Sequence, residues 1–371
     1  MNKMNRHEII KLLDCFEPQK FNYTIWILAN VNDTIQNEES FIHHANFSEF
    51  FSKAEFACIA SAITELFGYV RIFYSETEFM QYVLGNTKTL SKEDIIVFNF
   101  TRDGFLEGKK SLIPAFCDLY GLKYVSSNAF VISLLRNKFV YTQFLSSLNI
   151  KVPFTTCSKM ITNDLFNKIK DKDLIIKNIF ESASIGLDET NIINVADYDT
   201  MNSEMEKFYS KMQSDNLLIQ EYIHGNECEV FVIRCGGKLY SFPPISVNIN
   251  NSSIITTRIS DEYDYTFSPL YECFSRQICN SIQKSAEKAA DLLNIKNYAR
   301  FDYRVRKNGE FFLIDIAGSP YLTRHSSVEY LFTQLLGLKY SDIFLLIAAI
   351  TVTNYSHEVN CKSDNGKPLE M

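Results

Sequence analysis

The chain has no uninterrupted apolar run long enough to span a bilayer, so no membrane anchor is expected. It has no block of Lys or Arg, and 37 basic residues face 44 acidic ones for a net charge of −7. A general nucleic-acid binder needs a basic face, so that class is set aside. Nine cysteines are scattered without a CxxC pair or zinc spacing, which reads as reduced core thiols rather than a disulfide frame. Residues 1–6 are polar and lead into an amphipathic segment without a secretory apolar core, so a cytoplasmic protein is expected. Internal repeats and low-complexity tracts are absent. What the chain does have is bulk: 371 residues, 46% of them hydrophobic, with 30 Phe and 20 Tyr, enough for two or three domains with buried cores.

Residues 1–21 read as an N-terminal extension. From residue 22 to 127, strand patterns (Tyr23–Val31, Tyr69–Tyr74, Asp94–Phe100, Tyr124-Val125) alternate with helical ones (Phe51–Phe67, Glu76–Leu84, Lys109–Tyr120). That alternation predicts a parallel, Rossmann-like sheet covered on both faces. Asn128–Leu148 reads as one long helix with an Asn cap. It opens a unit over 128–223 that continues past Pro153 as a small α+β lid, with strands near Leu174–Phe180 and Leu217–Ile223 and a helix at Tyr198–Met212. The unit over 224–355 starts with a Gly236-Gly237 hairpin. Asn248–Ser268 is polar and without a strong period, Tyr271–Leu293 is a long helix, and Ser327–Leu336 and Ser341–Asn354 are closing helices. Residues 356–371 read as a flexible tail.

The most informative stretch is Tyr298–Val305, the Asn308-Gly309 turn, and Phe311–Pro320. Two alternating segments around Asn-Gly predict a hairpin. Each carries one carboxylate near its end, Asp302 and Asp315, which an antiparallel pair can bring to one divalent cation. Arg300, two residues before Asp302, projects from the same face. Two acids, a cation and an arginine aimed at one spot suit phosphoryl chemistry.

Taken together, these segments resemble the ATP-grasp superfamily, nearest its D-alanine:D-alanine ligase-like branch of carboxylate–amine ligases. The likeness is good from about Asn128 to Asn354 and poor before Asp94. It implies an α/β (α+β) ATP-grasp fold with a Rossmann-like N-terminal domain, a small lid and a C-terminal antiparallel sheet. It implies ATP as cofactor, touched by Lys138 and Lys177, with Ser182 and Ser184 in a loop that closes over the phosphates. Gln220, Glu221 and Ile223 would bound the adenine, and Glu227 would hold the ribose. Asp302 and Asp315 would bind one or two Mg2+ ions, the second site weakened because Ala317 stands where the family has Asn. Arg300, with Lys177 and Ser184, would serve catalysis. Arg300, Tyr321, Arg324, His325 and Ser326 would meet the substrates, a small carboxylate and a small amine, amino acids by analogy. A homodimer is possible on the same analogy.

The resemblance breaks on the substrate side. Asn32–Ser40 lacks the family's glycine-rich anchor, Tyr263–Pro269 loses the Lys and second Tyr of an active-site loop, Phe98–Asp103 replaces a His-Gly, and Tyr321 replaces a Gly. The implied activity is therefore an ADP-forming ligase acting through an acylphosphate on substrates other than D-Ala plus D-Ala. Two rival readings stand beside it: a catalytically impaired ATP-grasp protein that binds nucleotide in a regulatory or scaffolding role, and a structural partner subunit.

Overall fold

The computed structural model describes residues 6–31, 49–250 and 252–365. The segment Asn32–Ser40 lies outside them. Among the described residues, three sheets organise the fold. The first is wholly parallel, in the order β2-β1-β3-β4, from β1 (Thr24–Ala29), β2 (Val70–Phe73), β3 (Ile95–Phe100) and β4 (Lys123–Tyr124). Its central strands are apolar on both faces because helices cover both. The second is a small antiparallel sheet in the order β5-β8-β6-β7, from β5 (Thr155–Cys157), β6 (Leu174–Asn178), β7 (Ile192–Ile193) and β8 (Leu217–Glu221). The helix Tyr198–Met212, capped by Asp197, packs Met201, Met205 and Phe208 against one of its faces.

The third sheet is antiparallel and has six strands: β9 (Asn226–Cys235), β10 (Lys238–Ser241), β11 (Ile245–Ile249), β12 (Tyr265–Pro269), β13 (Tyr298–Val305) and β14 (Phe311–Ala317). Its order is β12-β11-β9-β13-β14, with β10 pairing β9. Two turns foreseen from glycine-containing pairs are present, with Gly236, Gly237 and Gly309 all at positive φ.

Four expectations are corrected. The 128–148 segment is two helices, Ala129–Arg136 and Lys138–Ser147, because Asn137 leaves helical geometry and caps the second by accepting from the Val140 N–H. The break frees the Lys138 N–H to reach Ile179 O at the end of β6. Asn248–Ser268 is structured, holding the end of β11, the helix Thr257–Glu262 and most of β12. The long helix predicted from Tyr271 begins at Arg276, after a short 3-10 turn at Leu270–Glu272 and a Ser275 cap. The tail expected from residue 356 is helical as far as Asn365. The helix Arg6–Phe16 buries Ile9, Leu13 and Phe16 beside the helix Tyr340–Asn365, which runs well beyond the predicted end at Asn354. That last helix is apolar all round from Ile343 to Ile350 because it is buried on every side. It is wedged between the first sheet and the third, against Phe98 and Phe100 on one side and the Phe231–Phe242–Tyr298 cluster on the other. Among the described residues, no single helix is long and apolar enough to cross a membrane.

Candidate functional site

A cavity of about 550 Å³ opens between the three sheets. Its floor is one face of the third sheet. Strand alternation places Arg300, Asp302 and Arg304 of β13 side by side, and the register sets Asp302 opposite Glu229 and Arg304 opposite Glu227 on β9. Arg300 Nε and Nη2 donate to the two Asp302 oxygens, each at 2.8 Å, and Nη2 lies 3.3 Å from Glu229. Burial would discourage the Arg300 charge, but Asp302 and Glu229 outweigh it and raise its pKa. Glu229 is 6% exposed and hydrogen-bonds Ser327; burial, opposed by Arg300 and reinforced by Asp302, pushes its pKa up to about 7. Glu227 is also raised, by burial, against the pull of Arg304 at 3.7 Å.

Asp315 reaches this face through a bulge. Phe311 and Leu313 pair with Val305 and Tyr303, and Leu313 packs in the core. Strict alternation would send Asp315 to that same core side. Instead the register shifts between Asp302 and Tyr303, leaving Ile314 unpaired, so that Asp315 sits opposite Asp302 and Ile316 takes the core position opposite Phe301. The Leu313 N–H bonds Lys151 O. Lys138 Nζ, brought in by the helix start at Asn137, donates to both Asp315 oxygens at 2.5 Å, and the Tyr141 hydroxyl donates at 2.7 Å. Burial opposes ionisation of Asp315, but Lys138, Lys177 and Tyr141 hold its pKa well below the carboxylate range.

The small sheet forms the facing wall. Leu174 and Ile176 of β6 fill its core, so Ile175 and Lys177 point the other way, into the cavity, opposite Gln220 and Leu218 of β8. Burial, with Lys138 and Arg304 adding to it and Asp315 and Glu227 opposing, brings Lys177 down to about 8. Gln220 is buried and donates to Thr155 Oγ1; Glu221 is held by Lys172 (2.5 Å) and Arg306 (3.0 Å); Ile223 lines the cavity beside them. In the 181–186 loop, Ala183, Ser184 and Gly186 all have positive φ, Ser182 Oγ accepts from Arg136 (2.7 Å), and Ser184 O accepts from Thr257 (2.8 Å).

Of the residues predicted to meet substrates, Arg300, Tyr321, His325 and Ser326 line the cavity. Tyr321 donates to Glu49 O (2.7 Å), His325 stacks on Tyr263 at 4.0 Å, and Ser326 caps the helix Ser327–Tyr330. Arg324 does not line it: its guanidinium lies over the Tyr340 ring at 4.0 Å and 3.8 Å from Glu329, because the turn alternates and sends its side chain outward. Sequence reading missed Glu229, although its position two residues after Glu227 on a strand signals the shared face. It also missed Glu49, Arg102, Lys110 and Arg136, which come from three parts of the chain and carry no common pattern.

Among the described residues no three His, Cys, Asp or Glu side chains form a metal-binding group. Two opposed carboxylates remain, Asp302 and Asp315, with Ala317 contributing no ligand atom. That donor set fits magnesium, which keeps waters and takes one or two carboxylates plus substrate phosphates.

The family model described as "D-ala D-ala ligase C-terminus" matches residues 159–348, just over half of the chain. The D-alanine--D-alanine ligase of Wigglesworthia glossinidia brevipalpis is 25% identical over 305 residues, 76% of this chain and 78% of that one. Its counterpart from Cupriavidus pinatubonensis is 26% identical over 194 residues, 50% of this chain and 54% of the relative, so that match spans about half the length of each. Among solved structures, the D-alanine--D-alanine ligase from Bacillus anthracis complexed with ATP aligns with a TM-score of 0.62 at 14% identity, covering 93% of this chain and 100% of that one. The D-alanyl-alanine synthetase A from Vibrio cholerae aligns with a TM-score of 0.63 at 17% identity, covering 90% and 99%.

Proposed function

Because the chain belongs to the D-ala D-ala ligase C-terminus family and has the ATP-grasp fold, we propose that it joins a small carboxylate to a small amine at the expense of ATP, releasing ADP through an acylphosphate. The observation that carries this reading is the facing of Asp302 and Asp315 on one hairpin, with Arg300 on their face and Lys138 and Lys177 closing from the other elements. Gln220, Glu221 and Ile223 bound the adenine pocket and Glu227 holds the ribose. Lys138 and Lys177 offset phosphate charge, and the backbone of the Ser182–Ser184 loop approaches the phosphate oxygens. Asp302 and Asp315 would hold magnesium, which when bound supplies further charge neutralisation at the phosphates. Arg300 stabilises the oxyanion formed when the amine attacks the acyl carbon. Closure of the small sheet over the cavity keeps water from the acylphosphate. Tyr321, His325 and Ser326 shape the acceptor end. Tyr321, where the family resemblance has Gly, favours substrates other than the D-alanine pair for which the relatives are named.

The test is ADP release across a panel of amino acids, comparing wild type with Asp302→Asn. Substrate-dependent turnover is expected to fall by about a thousandfold or more, the scale of losing a transition-state electrostatic partner. Turnover that survives the substitution rules out this site.

Lys177 gives a pH signature. A phosphate beside it raises its pKa from about 8, so nucleotide binding takes up a proton. Affinity is full below about pH 8 and falls as pH rises above it, by up to about tenfold per unit. Lys177→Arg, which stays charged, flattens the profile. In the free protein the sign is opposite: the depressed pKa makes folding stability rise with pH between about 8 and the ordinary 10.5. Calorimetry from pH 7 to 10 reads the binding effect, and a flat wild-type profile contradicts it.

A second reading rests on Ala317 and on the ion pairs that already occupy Asp302 and Asp315. On that reading the protein binds nucleotide for regulation and forms no bond. Tight ATP binding with no ADP formed from any acid and amine would favour it.

A further inference from the structure

The floor of the cavity is charge-balanced: Glu227, Glu229, Asp302 and Asp315 face Arg300, Arg304, Lys138 and Lys177. A second polar wall of the same cavity is not. Glu49, with no exposed surface, lies beside Lys110, 2.8 Å from Lys109, 3.5 Å from Arg136 and 4.0 Å from Arg102. Glu181 adds one carboxylate 3.9 Å from Arg136. Within this cluster four cations meet two acids; Glu55 and Asp261 line the same cavity nearer Tyr321 and make no ion pair with the cluster among the described residues.

Both arginines are buried, Arg102 at 1% and Arg136 at 5% exposure, yet the Nε and Nη2 atoms of each have no hydrogen-bond partner among the described residues. Their Nη1 atoms are committed, Arg102 to Ser319 O (3.0 Å) and Arg136 to Ser182 Oγ (2.7 Å). Buried guanidinium donors left open are costly and call for an acceptor. Burial, with Arg102, Arg136 and Lys109 adding to it and Glu49 opposing, pushes the Lys110 ammonium well below its usual range. The loop that presents Arg102, Lys109 and Lys110 is itself strained, with Lys110 at φ +70° and Leu106 at φ +50°.

We propose that this wall is an anion subsite for the acid substrate, which carries a second anionic group, carboxylate or phosphate, docked on Arg102, Lys110 and Arg136. The planar guanidinium fork suits either group. Position favours a substrate over the nucleotide. Arg102 is tied to Ser319 and lies 4.1 Å from the Tyr321 ring centre, at the acceptor turn, while Arg136 is tied to the 181–186 loop. The subsite therefore bridges the acceptor turn and the loop assigned to the phosphates, where the acid that receives a phosphoryl group has to lie. The inference rests on the ligase reading, but it is tested by binding.

Calorimetry in the presence of a non-hydrolysable ATP analogue and magnesium would compare glutamate and O-phosphoserine with alanine and norvaline, in both enantiomers. Wild type is expected to bind at least one of the two doubly anionic acids at least tenfold more tightly than the neutral-side-chain acids. Arg102→Gln and Lys110→Gln, two variants so that misfolding of one leaves the other, are each expected to lose that margin by tenfold or more, with affinity for the analogue unchanged within about twofold. Preference for glutamate alone or for O-phosphoserine alone supports the subsite and names its group. Equal binding of alanine and both doubly anionic acids, or variants that weaken the analogue instead, overturns it. Absence of ADP release with every acid and amine would remove the ligase reading while leaving this binding result to stand or fall separately.

Discussion

Asp315→Ala should lower folding stability by about 2–4 kcal/mol, besides ending activity. Breaking a buried ion pair from one side costs about 3–5 kcal/mol because the remaining charge is stranded. The lower range applies here because Asp315 keeps 33% of its side chain open to the cavity. Its removal leaves Lys138 without the two contacts at 2.5 Å, Tyr141 without this acceptor, and Lys177 without the strongest charge opposing its deprotonation. The folded-state pKa of Asp315 is depressed, so its stabilisation is in full force at neutral pH and is lost as pH falls through that low value. Urea midpoints at pH 7 measure the effect. Adding Lys138→Met to Asp315→Ala should recover part of the loss, since it removes the stranded cation. A single variant within about 1 kcal/mol of wild type would mean that the pair is solvated and the charge argument is wrong.

Gly225→Ala should be the more damaging change. A Cβ at this position would stand 2.1 Å from Val305 O, 2.7 Å from Val305 C and 3.0 Å from Arg306 Cα, all backbone of β13 and the turn after it. Gly225 also has φ +147°, which other residues rarely adopt. No rotamer relieves a clash with main chain, so either β9 and β13 separate or the chain before Glu227 is rebuilt. The expected cost is about 4 kcal/mol or more, in the exceptional class of single substitutions, and nucleotide affinity should fall with it because Glu227 and Arg304 lose their register. Gly85→Ala is the control. Gly85 lies in the helix Glu76–Asn86, where an added Cβ would meet nothing within 4 Å, and the change should stabilise by about 0.4–1 kcal/mol. Thermal melts of the two variants side by side decide the matter; a Gly225→Ala protein that melts with wild type refutes the packing argument.

Much of the site was legible in the sequence. Lys177 stood out as a lysine within an apolar strand, and the period of two explains why it and Gln220 leave the small-sheet core for the cavity. Asp302 and Arg300 followed from the hairpin and its alternation. The helix start at Asn128 was legible because its side chain makes it, accepting from the Val131 N–H. Asn137 was not, because an Asn inside an apolar pattern reads as helix interior until its side chain is seen capping Val140. Arg324 was assigned to the cavity because its charge suits a carboxylate, but direction in a turn is set by backbone geometry, and its ring partner Tyr340 comes from a distant helix.

By itself, the sequence determined the strand–helix alternation of the first sheet, the Asn-Gly hairpin, and the pairing of an acid with an arginine on one strand face. These depend on local periods, caps and turn residues, which act over a few positions. Only the tertiary structure decided which way Asp315 faces and what surrounds Glu49. The first depends on one unpaired residue, Ile314, that reverses strand parity when β14 also bonds Lys151. The second depends on Arg102, Lys109 and Lys110 of one loop and Arg136 of a later helix meeting at one buried carboxylate, and a charge cluster of that kind exists only once distant parts of the chain share a low-dielectric interior.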